Sequence, residues 1–274
     1  MATDQGRDLP VLPLLGRGLA AGGLAGLATG LFSLLLTEPL MDRAVKAEER
    51  RTEAEHGHEA AAAAAQHHEE LFTRGTQHLG LVVTAVVVGL AIGVFFAVAY
   101  ALVHRRTGPE GLSDRAWPRA WALTGAGFAA LSLLPGLRYP ANPPGVGDSG
   151  TLGHRQELWL GSLAVGVLGV VLAWQVSVRL AAAGRSAAVR QTAVAATLVA
   201  VLAVSFALPD NTDPVPVEAT LLWDFRVLGL ASHVLLWALL GGVFGALGLR
   251  AARARERAAA GAAQKPEATV PSPA

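Results

Sequence analysis

LGLVVTAVVVGLAIGVFFAVAYALV, residues 79–103, contains no charged side chain. At about 1.5 Å rise per residue, such a run is long enough to cross a hydrocarbon core roughly 30 Å thick as a single α-helix. Five further apolar stretches lie at about 14–37, 118–137, 158–181, 191–208 and 227–249, separated by charged or proline-rich segments. The stretch at 191–208 is the shortest and starts from the polar Gln191 and Thr192. Across 274 residues, 52% are hydrophobic and only 16% charged, against about 25% charged in an ordinary soluble domain. The expected fold is therefore all-α: a polytopic integral membrane helix bundle of about six transmembrane helices, filling residues 1–256 and surrounded by the lipid bilayer. Residues 257–274, RAAAGAAQKPEATVPSPA, are expected to form a disordered cytoplasmic tail.

Orientation follows from where arginine accumulates in short loops. HRRTGPEGLSDRAWPR (104–119), RLAAAGRSAAVR (179–190) and the run from Arg250 to Arg257 are arginine-rich. Six spans put all three on one side, so both termini are expected in the cytoplasm. The loops 138–157 and 209–226 and the long segment 38–78 then face outward, although the last also carries Arg43, Lys46, Arg50, Arg51 and Arg74. The run behind Arg7 and Arg17 is too long for a signal-peptide core and is expected to be a retained first span. A net charge of +1 without a basic patch argues against nucleic acid as a partner. Zero cysteines exclude disulfides and thiolate metal sites.

Packing signals sit in the first and last spans. Gly18, Gly22, Gly26 and Gly30 recur every four residues, and Gly241 and Gly245 repeat the interval. Residues four apart share a helix face, and glycine there lets a second backbone come close. Spans one and six are accordingly expected to form the packed centre.

Chemistry concentrates in the outer segment. EHGHEAAAAAAQHHEE, residues 55–70, gathers His56, His58, His67 and His68 with Glu59 and Glu70, and His78 follows. Imidazole and carboxylate suit Co²⁺, Ni²⁺ and Zn²⁺. The Ala and Glu content favours helix, on which His56, His67 and His78 recur every eleven residues along one stripe. Members of that stripe are roughly 16 Å apart by helical rise, so neighbours such as Glu59 and Glu70 must complete any site. A solvated, charge-laced helix is the competing reading. Glu38 and Asp42, four apart beyond span one, fit either a pore mouth or an ordinary acidic helix start with Pro39 in its first turn. His233 lies inside span six, where an ionisable group is a functional candidate, though a hydrogen bond to a neighbouring carbonyl explains it too. GDSG at 147–150 resembles a serine-protease turn but has no β-rich domain around it. Neither a Walker loop nor HExxH is present, so no enzymatic activity and no permanently bound cofactor are expected.

EPLMDRAVKAEE after span one, RGTQ before span two, RYPANPPGVGDSGTLGHRQ before span four and LLWDFRVLGLASHVLLWALLGGVFG at the end are similar to CbtA, the probable cobalt transporter subunit family. The resemblance covers about residues 14–250. Its motif positions here are Glu38, Pro39, Asp42, Arg74, Gly75, Tyr139, Pro140, Asn142, Pro143, Pro144 and Asp148. The prolines of YPANPP hold Asn142, Asp148 and His154 near the membrane surface, which adds them to Glu38, Asp42 and His233 as a candidate ion path. The resemblance implies a bacterial inner-membrane protein of cobalt uptake, linked to cobalamin supply, with a small single-span His-bearing CbtB-like partner. The remaining alternative is a non-transporting accessory subunit that collects metal within a complex.

The cysteine-free chain makes the orientation directly testable. Ala62→Cys is expected to react with an impermeant maleimide added outside intact cells, and Ala183→Cys only after lysis. The reverse pattern places the His-rich segment inside.

Overall fold

The computed structural model describes residues 11–67, 74–104 and 115–263. Among them there is no strand, and six helices are long and apolar enough to cross a membrane. Helix α1 (Val11–Phe32) passes through a π-turn (Ser33–Thr37) straight into α2 (Glu38–His67). Helix α3 spans Arg74–His104, and α4 (Ala116–Phe128) passes through a second π-turn (Ala129–Leu133) into the short α5 (Leu134–Arg138). Then follow α6 (Leu152–Ala182), α7 (Ala187–Phe206) and α8 (Ala219–Ala263).

Several boundaries differ from the sequence expectation. In the described residues α2 runs to His67, while His78 belongs to α3, the second span, which starts at Arg74; residues 68–73 between them lie outside the described residues. At the other end α8 continues through residues 257–263, and residues 264–274 of the expected tail lie outside the described residues.

The glycine ladder of α1 does pack tightly, but against α3. A Cβ on Gly18, Gly22 or Gly26 would overlap the carbonyl oxygen of Gly93, Gly89 or Ala85, and Gly89 and Gly93 lie equally close to the α1 backbone. Two backbones meet along matched glycines, a contact lipid cannot provide. On its other side α1 meets α8, where Leu14, Ala21, Phe96, Tyr100, Leu240 and Phe244 form the main core. The Phe96 and Phe244 rings stand edge to face, centroids 5.0 Å apart, a favoured aromatic geometry. The glycines of α8 serve a different partner: Gly241 faces Thr124, and Gly245 faces Trp117 and Ala120, all on α4. Spans one and six thus do touch, yet each spends its glycines on another neighbour.

Both π-turns have the same cause. Pro39 and Pro135 lie two residues beyond them and have no N–H to give. The residue before each proline instead donates one residue further back, Glu38 N–H to Ser33 O and Leu134 N–H to Ala129 O. Ala130 loses its usual donor this way, and its carbonyl lies against Gly166 of α6. That contact carries the fold from α4 across to α6, and α7 then packs on α6. The α6–α7 turn is closed by Gly184, at φ 69°. Arg185 N–H reaches Leu180 O and Gly184 N–H reaches Ala181 O, each at 3.0 Å, as a left-handed helix cap requires. Ser186 then caps α7 by accepting from Val189 N–H at 3.4 Å.

Because no side chain fits at the α1–α3 contact, Gly22→Val is expected to destabilise the purified chain by about 1–3 kcal/mol, read as a fall in melting temperature. Gly16→Ala, where a Cβ meets nothing within 4 Å, is expected to leave it unchanged.

Candidate functional site

The first groups brought together are Glu38 and His78. Continuation of α1 past its π-turn sets Glu38 on the first turn of α2, and the glycine-matched register of α3 sets His78 beside it. Glu38 Oε1 and His78 Nε2 are 3.4 Å apart, with the carboxylate side chain 15% exposed. Asp42, one turn further on, is half-buried. In the adjoining π-turn the Thr37 hydroxyl is buried and has no hydrogen-bond partner among the described residues, a cost for any polar atom unless something else supplies contact.

Beyond this pair α2 leans over the end of the bundle. Leu40 and Ala44 pack on Leu221 of α8, and Arg51 Nη2 donates to Gly145 O at 3.3 Å. Gly145, at φ 75°, accepts this contact in a backbone shape that favours glycine. The base of α2 is thus fastened to the turn that carries YPANPP. His56, His58, Glu59 and His67 lie on the distal half of α2. His68 and Glu70 lie outside the described residues. Among the described residues no three of His, Asp and Glu form a metal-holding group.

The other candidates divide. Asn142 Oδ1 accepts from Arg226 Nη2 at 2.8 Å. Asp148 works locally: its carboxylate accepts from Gly150 N–H at 2.6 Å, and its carbonyl accepts from Thr151 and Arg155. His154 is exposed on α6. His233 and Asn142 share a cavity of about 330 Å³ between α6 and α8, floored by the second π-turn and α5.

That cavity exposes residues the sequence reading passed over. Ser132 sits in the π-turn and accepts from Trp237 Nε1 at 2.9 Å. Tyr139 donates its hydroxyl to Pro209 O at 2.6 Å. Asn211 and Arg155 complete the polar lining. Arg155 is committed elsewhere: its Nε lies 3.3 Å from Asp213, a carboxylate only 6% exposed, and its other nitrogens donate to Val146 O and Asp148 O. Arg138 similarly pairs with Asp210 at 2.7 Å and donates to Leu208 O. The arginines of this end therefore brace the two loops. The proline after LSLL was a usable signal for Ser132. Nothing local pointed to Asn211 or to the Arg155–Asp213 pair.

Neither a curated protein nor a solved structure matches the chain. The family model described as probable cobalt transporter subunit (CbtA) matches residues 12–248. With six helices fit to cross a membrane along that same length, the chain belongs to the CbtA family.

Proposed function

We propose that the chain is the membrane-embedded subunit of a cobalt uptake system, taking Co²⁺ first on the outer His/Glu-rich segment and passing it to the bundle. The observation that carries this is the approach of Glu38 and His78. It joins a carboxylate at the root of the His-bearing helix to an imidazole on a spanning helix, both suited to a first-row divalent ion. His56, His58, Glu59, His67, His68 and Glu70 act as collectors. The exit from them leads along α2, which Arg51 fastens over the YPANPP turn. In this reading Asp42 lies at the mouth beside Glu38, while Asp148 and His154 shape the outer surface.

Arginine at 104–119, 179–190 and 250–257 supports an inner-membrane placement with both termini in the cytoplasm. The family description as a subunit supports a complex, and the resemblance points to a small single-span His-bearing partner within it. The donor types do not select the metal, because Ni²⁺ and Zn²⁺ bind the same nitrogen and oxygen sites; Co²⁺ rests on the family.

Uptake of radiolabelled cobalt by cells expressing the chain with its partner tests the proposal. Glu38→Gln and His78→Ala are each expected to lower the rate about tenfold, about 1.4 kcal/mol. Unchanged accumulation in both variants, with normal protein levels, leaves only the accessory, metal-collecting role. Proton competition for imidazole gives a second expectation. Co²⁺ affinity, measured by calorimetry on purified chain, falls as pH is lowered from about 8 to about 5, where neutral rings become charged. An affinity flat across that range excludes histidine as the ligand.

A further inference from the structure

We infer that the cavity between α6 and α8 is a second divalent-cation site, with His233 as its nitrogen ligand and neutral oxygens of Ser132, Tyr139, Asn142 and Asn211 around it. The inference rests on the uptake reading for its cargo, but not for its geometry. His233 lies roughly 20 Å along α8 from Ala219 at 1.5 Å per residue, inside the spanning part of the helix. Among the described residues its ring has neither a hydrogen bond nor an ion pair, unlike Ser132, Tyr139, Asn142, Asn211 and Arg155. An imidazole without a partner is costly there unless it meets water or a ligand.

Each oxygen that lines the cavity beside it already holds one partner. Ser132 accepts from Trp237, Asn142 from Arg226 at 2.8 Å, and Asn211 from Asp213 N–H at 3.2 Å, while Tyr139 donates to Pro209 O. One hydrogen bond fixes each oxygen and leaves it a free lone pair. Arg155 does not oppose a cation as its position suggests, since Asp213 neutralises it and its N–H groups point to loop carbonyls. No carboxylate lines the cavity among the described residues. A nitrogen and several neutral oxygens make a weak site, which suits an ion that must leave again. At about 330 Å³ the space holds a divalent ion with part of its water shell, a water occupying about 30 Å³. The turn that Arg51 ties to α2 forms its roof, through Tyr139 and Asn142.

The test uses the full-length chain in detergent, with His56, His58, His67, His68 and His78 replaced by Ala to silence the collecting segment and the Glu38–His78 pair. Cobalt chloride is titrated and read by its visible absorption and by calorimetry. This background is expected to keep one Co²⁺ equivalent, and adding His233→Ala to weaken it at least about tenfold. Gly136→Leu gives an independent arm. Gly136 lines the cavity and a Cβ there meets nothing within 4 Å, so a larger side chain fills space without removing a donor. It is expected to abolish the same equivalent. Cobalt binding unchanged in both variants overturns the site, as does a background that binds none. Cells separate the two readings: binding lost with His233→Ala while the unmutated chain takes up no more cobalt than empty-vector cells sustains the site and sinks transport. Normal uptake with binding unchanged in both variants does the reverse.

Discussion

The register between α1 and α3 governs this end of the molecule. In lipid there is no hydrophobic gain in pushing two apolar helices together, so close backbone contact must hold them. Matched glycines on the two helices provide it, with Gly22 against Gly89 and Gly18 against Gly93. A contact of this kind tolerates no sliding, because one residue of slip would set a Cβ into a carbonyl. Glu38 and His78 are near each other only because that register is fixed some turns away. The polar pair is the outward sign of a packing decision made in the membrane.

Two prolines shape the rest. Pro39 and Pro135 each widen the helix before them by one residue per turn, and each widening releases a carbonyl from its ordinary duty. At the second turn the released Ala130 oxygen is used for packing against Gly166, and the same turn presents Ser132 to Trp237. Wide turns are common at functional positions in helices. Here each stands within a helix long and apolar enough to cross a membrane.

The six spans and the all-helical class were legible because hydropathy and length are local properties, set by 79–103 and its five counterparts. Which faces meet was only half legible. The ladder on α1 announced a close neighbour, but choosing α3 required noticing that Gly89 and Gly93 carry the complementary interval. His78 sits on helix α3, which starts as early as Arg74, before the apolar run begins. Glu38 and His233 could be singled out as polar groups beside or within apolar runs. Their surroundings could not: Arg51 on Gly145, Arg155 on Asp213 and Ser132 on Trp237 join residues far apart in the chain. Such pairings are consequences of topology rather than of neighbouring sequence.

That no carboxylate lines the cavity of His233 among the described residues has a consequence in time. Dissociation rate is the product of association rate and dissociation constant, so a cation held with a constant of about 0.1 mM and arriving at about 10⁷ M⁻¹s⁻¹ departs within about a millisecond. Adding a carboxylate would deepen the well and lengthen the stay, turning a stepping stone into a trap. With Asp213 spent on Arg155, no carboxylate among the described residues lines the cavity, and the proposed site would hold its ion only briefly.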